Sequence, residues 1–307
     1  MEETRMTMDR RQGPWQCAGV RWDPRSGPAL IWRHPVRGER VSPLAPDRPL
    51  AFTTGPRRTC VGVRRGARHT PCPAGAEVSA SAVSAQCPDC ARLDRSYSVA
   101  ADTRTDDPRP YDVYLAWFGP ELIKVGITAA EREGARLLEQ AALSYALLGR
   151  GPLMAARRAE AVLGAALGVP DRFPYAAKRG AREAPPPLER RAAELAALHE
   201  RARALGVLPE SLTRAAFEPV HHDAAFHLDR VRPAHGVILL AAESTVAGRI
   251  EAVAGPDIHL TATDGRTLLL DARRLAGWPL AAATADAVTT APVAVPERAP
   301  EGPDALF

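Results

Sequence analysis

Residues 111–128, Tyr-Asp-Val-Tyr-Leu-Ala-Trp-Phe-Gly-Pro-Glu-Leu-Ile-Lys-Val-Gly-Ile-Thr, read as two strands joined by a Gly119-Pro120 turn. Side chains alternate between the two faces of a strand. Val113, Leu115 and Trp117 therefore share one face of the first strand, and Asp112, Tyr114, Ala116 and Phe118 the other. In the second strand Ile123, Val125 and Ile127 form an apolar face, with Lys124, Gly126 and Thr128 opposite. Tyr114 and Lys124 are thus expected to emerge together on the side turned away from the core. Lys124 carries a second signal, because only Lys124 and Lys178 among the 40 cationic residues are lysines. An amine is compact and can lose its proton, which a guanidinium does not do.

Downstream, residues 130–143 have a helical pattern that sets Arg132 and Arg136 one turn apart. A short strand is expected over residues 144–148 and an amphipathic helix over 153–163, carrying Glu160. Strand, strand, helix, strand, helix, with Tyr, Lys-Val-Gly, Arg and Glu in that order, resembles the GIY-YIG nuclease superfamily. The resemblance rests on Asp112-Val113-Tyr114, Lys124-Val125-Gly126, Arg136 (or Arg132) and Glu160, over about residues 110–170. Two positions depart from that superfamily: Asp112 replaces its first glycine and Lys124 its second tyrosine. The wider phrase Tyr-Leu-Ala-Trp-Phe-Gly, Ile-Lys-Val-Gly-Ile-Thr, Arg-Leu-Leu-Glu-Gln-Ala-Ala-Leu and Ala-Arg-Arg-Ala-Glu is similar to a bacterial family of unknown function. In that family a cysteine-bearing N-terminal segment precedes a GIY-YIG-like core. The resemblance implies a catalytic-type set of Tyr114, Lys124, Arg136 and Glu160, with Mg²⁺ or Mn²⁺ at Glu160.

At 307 residues the chain can hold two or three domains. No apolar run approaches the ~20 residues needed to span a bilayer, and no apolar segment follows the N-terminus as a secretion signal would require. A cytoplasmic protein without a membrane partner is expected. The net charge of +4 is unevenly spread: residues 1–110 carry 18 Arg against 12 acids. Arg57, Arg58, Arg64, Arg65 and Arg68 fall within twelve residues that contain no acid, the electrostatic footprint of a phosphate-rich partner.

Five cysteines occur, at 17, 60, 72, 87 and 90. Clustered cysteines in a reducing compartment more often hold metal than form disulfides. Cys87-Pro88-Asp89-Cys90 can present two thiolates to one ion, and Cys60 and Cys72 lie upstream. Four thiolates would make a closed structural zinc site; His69 is an alternative ligand. A redox C-x-x-C lacks its usual βαβ setting here. Cys17, in an alternating strand pattern, reads as a core cysteine.

The expected fold class is α+β: a β-rich zinc module over residues 1–100, the GIY-YIG-like core over 110–175, a helix and connector over 185–207, a C-terminal β module over 230–282 and a disordered tail over 283–307. Strands are expected at 15–22, 28–32 and 50–53. A polar linker follows near 102–110, and prolines break the segment 168–187. Helix 188–205 ends at Gly206. The last module should hold strands at 236–240, 245–253, 258–263 and 267–270, with the Asp264-Gly265 dipeptide as a hairpin turn, closing a small barrel or sheet. His221, His222 and His227 read as solvated loop imidazoles.

The function expected from these features is a nucleic-acid-associated zinc protein whose GIY-YIG-like core need not be catalytic. Two alternatives stand beside it: a metal-dependent endonuclease or phosphodiesterase on DNA or RNA, and a structural adaptor without nucleic acid. Neither the reaction nor the oligomeric state is legible from these residues.

Overall fold

The computed structural model describes residues 14–65, 68–96 and 107–296. Strands β1 (Gln16–Asp23), β2 (Gly27–His34) and β3 (Gly38–Pro43) form an antiparallel three-stranded sheet. The third strand escaped the sequence reading because it is almost wholly exposed and carries no apolar alternation. After β4 (Pro49–Thr54) comes a hairpin of β5 (Val63–Arg65) and β6 (Arg68–Thr70), and then helix α1 (Pro88–Ser96).

The expected hairpin is present as β7 (Tyr111–Trp117) and β8 (Ile123–Ala129), in the register Tyr114↔Gly126 and Ala116↔Lys124. All seven residues of β7 are buried, since it is the central strand and both of its faces are covered. The expected helix over 130–143 is broken. Glu133 (φ 45°) and Gly134 (φ 85°) are left-handed, so a single 3₁₀ turn at Ala130–Arg132 precedes a short helix, α2 (Ala135–Glu139). Next come β9 (Ser144–Gly151), which pairs with β7, and α3 (Leu153–Leu167).

Helix α4 (Tyr175–Glu183) occupies the segment expected to be broken by prolines, with Pro174 as its N-cap. Helix α5 (Leu188–Ala204) follows Pro187, and Gly206 takes φ 64° just beyond it. The short strands β10 (Thr213–Arg214) and β11 (Val220–His221) both pair with β9, and α6 (Asp223–Phe226) follows.

The remaining strands are β12 (Gly236–Ile238), β13 (Thr245–Ala254), β14 (Asp257–Thr261), β15 (Thr267–Asp271), β16 (Leu280–Ala282) and β17 (Val293–Ala294). They build an open seven-stranded sheet in the order β16-β4-β13-β14-β15-β12-β17, not a barrel. Two expectations are corrected here. Strand β4, assigned to the N-terminal module, pairs antiparallel with β13, Thr53 opposite Thr245. The segment after 282 is ordered at least to 296, because β17 pairs with β12; the rest of the expected tail, 297–307, lies outside the described residues. The architecture is α+β, as expected.

Val113, Leu115 and Trp117 of β7 join the main core with Leu153, Ala156, Ala159 and Leu163 of α3 and Leu195 and Leu198 of α5. The same core runs into Trp22 and Leu30 of the first sheet and Ile250 and Ile258 of the last. The opposite face of β7 feeds a smaller cluster of Tyr114, Ala116, Phe118, Leu137 and Ala142. Trp22 donates its indole N–H to the Gly255 carbonyl at 2.7 Å and meets Phe226 edge-on, which ties the first sheet to the rest. Cys17 is fully buried in this core, and burial pushes its thiol up to about 12.

Candidate metal centre and cationic core site

Cys60, Cys72, Cys87 and Cys90 converge: their sulfurs all lie within 4.8 Å of one another. Cys72 and Cys87 stand 3.9 Å apart. A tetrahedral shell with zinc–sulfur bonds of ~2.3 Å sets its sulfurs about 3.8 Å apart, so the geometry is close to what one ion requires. Local backbone chemistry builds the site. Cys60 sulfur accepts the Gly62 N–H at 3.4 Å and the Cys87 N–H at 3.2 Å. Gly62 sits at φ 74°, and a β-carbon there would lie 2.2 Å from the Thr70 carbonyl oxygen, so the turn demands glycine.

Burial raises the Cys72 thiol, but the Ala76 and Ala74 amides and the Cys60 and Cys90 thiols outweigh it and hold the group at about 7. Cys87 immediately precedes α1 and Cys90 lies in its first turn, so the start of the helix brings both sulfurs to the site. Burial instead pushes Cys60 and Cys90 up, so a cation is what would hold all four sulfurs as thiolates. His69 is not a member of the cluster; its Nε2 donates to the Val61 carbonyl at 2.6 Å. Among the described residues these four cysteines are the one group of three or more His, Cys, Asp or Glu side chains able to share an ion.

The arginine run does not act as one surface. Arg64, Arg65 and Arg68 are exposed on the β5–β6 hairpin, Arg65 opposite Arg68. Arg57 is exposed in the loop before it. Arg58 is 1 % exposed and is excluded as a phosphate contact. Its guanidinium donates to the carbonyls of Ala276, Ser79 and Ala82 at 2.8, 2.8 and 2.6 Å, binding the cysteine segment to the turn after β15. Sequence order could not separate this buried clamp from its exposed neighbours.

In the core, Tyr114 and Lys124 lie on the same side of the hairpin, but not in solvent. Tyr114 is 1 % exposed, against the expectation that it faces outward. Its ring crosses Gly126, where a β-carbon would meet the ring at 2.6 Å, and its hydroxyl accepts from Gln140 Nε2 at 3.2 Å. Burial raises the Tyr114 hydroxyl, with the Gln140 bond and the Arg136 charge opposing. Lys124 is half-buried; burial and then Arg136 push its amine down, while Glu160 pulls it up.

Burial raises Glu160, Lys124 lowers it, Asp171 raises it, and the Ile127 N–H bonds the carboxylate at the free edge of the sheet. Arg136 is exposed on α2 and pairs with Glu139 at 3.7 Å; Arg132 also pairs with Glu139, at 2.6 Å. The four residues of the motif order therefore lie within electrostatic reach of one another. Asp112, the departure at the first glycine, is held by Arg150 at 2.6 Å.

The structure adds Lys178, the chain's other lysine, to this site. It is 6 % exposed. Its amine lies 3.8 Å from the centre of the Phe118 ring and donates to the Gln140 carbonyl at 3.3 Å. Burial, and then Lys124, push it down to about 7. The scarcity of lysine was the available signal, but α4 had not been recognised as a helix. A cleft of about 450 Å³ beside the site is lined by Arg136, Glu139, Tyr175 and Arg273. His222, expected to be solvated, is 8 % exposed and bonded to the Ala142 carbonyl at 2.7 Å.

Fold and site define a mixed α+β protein with a four-cysteine cluster that can hold a metal ion. Residues 47–280, well over half of the chain, match the family described as protein of unknown function (DUF2797), and the chain belongs to that family. The match begins after β3 and ends within β16. No curated protein and no solved structure matches the chain. No described helix is long and apolar enough to cross a membrane.

Proposed function

We propose that the protein is a zinc-stabilised nucleic-acid-binding protein whose GIY-YIG-like core is not catalytic. The observation that carries this reading is the β5–β6 hairpin. Cys60 and Cys72 flank it, the four-cysteine cluster anchors it, and it presents Arg64, Arg65 and Arg68 to solvent. A cationic hairpin is suited to a phosphate backbone. Zinc is the ion that a closed all-thiolate site favours. The strand order β8-β7-β9 and the clustering of Tyr114, Lys124, Arg136 and Glu160 support the GIY-YIG-like reading of the core. The burial of Tyr114 weighs against catalysis, since a group that positions water must reach it.

One observation favours the nuclease alternative. Asp171 acts on both Lys124 and Glu160, so a second carboxylate stands near the one that would hold Mg²⁺ or Mn²⁺. Both readings are tested together. Oligonucleotide binding should weaken steeply with salt, and replacing Arg64, Arg65 and Arg68 with Ala should flatten the slope of log K against log salt by up to about 2–3. Wild type and Glu160→Gln should both leave DNA and RNA uncut with Mg²⁺ or Mn²⁺. Unchanged affinity and slope in the triple variant would reject the hairpin and favour the adaptor. Cleavage lost in Glu160→Gln would establish the nuclease.

A further inference from the structure

The cleft between the β1–β3 sheet and the cysteine-anchored hairpin deepens that reading and rests on it in part, because Arg64 of the hairpin lines it. It encloses about 860 Å³ and is lined by Arg33, His34, Glu39, Thr59, Arg64 and His69 among others. Two adjacent residues of its wall carry buried donors with no hydrogen-bond partner among the described residues: Arg33 Nε and His34 Nε2. His34 is 4 % exposed, and its Nδ1 accepts the backbone N–H groups of Val36 and Arg37 at 3.1 and 3.0 Å. That fixes the tautomer: the imidazole proton is on Nε2, which is therefore a donor. Arg33 Nε has Glu39 as its nearest carboxylate, at 3.6 Å, too long for a hydrogen bond. Glu39 makes its short bond to Arg21, at 2.9 Å, and only the longer ion pair to Arg33.

Buried donors without partners are rare and costly, about 1–3 kcal/mol each, so two in one cleft wall point to an acceptor that comes from outside. The surrounding charge gives its sign. Arg33 and Arg64 both lie close enough to His69 to push its imidazole down, after burial, and Glu39 is the one acidic side chain in the lining. The ligand is thus an anion with several acceptor oxygens. The cleft is larger than one inorganic ion needs, which leaves room for an organic group carried on the anion. We infer that this cleft binds a phosphate ester, its phosphate oxygens accepting from Arg33, His34 and Arg64. Two sources supply that chemistry, a free nucleotide and a nucleic-acid single strand.

Labelled-histidine NMR of the full chain tests it. Titration with inorganic phosphate, with adenosine monophosphate and with a short single-stranded oligonucleotide should move the His34 ring signals saturably, whereas potassium chloride at matched ionic strength should not. Arg33→Gln should weaken the response to inorganic phosphate at least about tenfold, the loss expected with a charged hydrogen-bonding partner, and Arg33→Lys should restore part of it. If Arg33→Gln does not fold, Arg64→Gln on the exposed hairpin should give the same loss. Tighter binding of the mononucleotide or of the strand identifies the source, and either supports the site. Equal shifts with chloride, or an unaltered titration in Arg33→Gln, would overturn it. An oligonucleotide that binds but leaves His34 unmoved also rejects the cleft, while leaving the nucleic-acid reading intact.

Discussion

Lys178 holds an amine where water is largely excluded, over the Phe118 ring and against the Gln140 carbonyl. Burial, with Lys124 as the next cause, holds it at about 7, below the ordinary lysine range. The unfolded chain therefore binds more protons than the folded one between about pH 7 and pH 10, and stability should rise across that window and be lowest below it. Replacing Lys178 with Met removes the buried charge. The expected outcome is that the gain in unfolding free energy from about pH 6 to pH 9, measured by urea denaturation, shrinks in Lys178→Met. An unchanged pH dependence would mean that another group sets it. The two lysines were singled out by their rarity, but their convergence was not legible, because one lies on a strand and the other on a helix 54 positions later in the sequence.

Helix α4 is joined to the seven-stranded sheet by charge. Arg179 bonds Asp257 at 2.7 Å and Asp271 at 3.3 Å, Arg182 reaches the same Asp257 in full burial, and Arg273 holds Asp271. Burial would raise the Asp257 carboxyl, but Arg182 and Arg179 prevail and hold it at about 2. The lowered value means that its contribution is complete above the usual aspartate range near 4 and is lost as the pH falls toward about 2. Asp257→Asn should cost about 3–5 kcal/mol at neutral pH, since it leaves the buried Arg182 guanidinium without its counter-charge. Chemical denaturation would show this, and the acid limb of the stability profile should flatten; a loss below about 1 kcal/mol would mean that packing, not charge, docks the helix. This helix escaped the sequence reading because flanking prolines, a glycine and three cationic residues outweigh its apolar pattern. Its ion-pair partners lie more than seventy residues away. By contrast α3 and α5 show clear periodicity, and β7–β8 and β13–β15 carry alternation and turn residues, so those elements were legible.

At the scale of the molecule, the segment 60–96 has only a small core of its own, a cluster of Cys60, Val63, Val78 and Cys90, and the four cysteines supplement it. The protein is expected to purify with one zinc per chain, and Cys90→Ser to lose it. Elemental analysis measures the first. Hydrogen exchange measures the consequence: amides of the β5–β6 hairpin should exchange faster in the variant, while those of β7 keep their protection. Zinc-free protein with an equally protected hairpin would refute a structural ion.

What the sequence determined by itself was local or compositional. Alternation specified β7 and β8, cysteine spacing in a cysteine-poor chain specified the cluster, and charge density marked the hairpin arginines. Only the tertiary structure decided that β4 completes a sheet begun almost two hundred residues later, that Arg58 is buried and Arg64 exposed, that Tyr114 faces a second core, and that Arg33 and His34 share a cleft wall. Strand partners and burial depend on contacts between residues far apart in the chain. No short-range pattern encodes which solvent, water or protein, a side chain will meet.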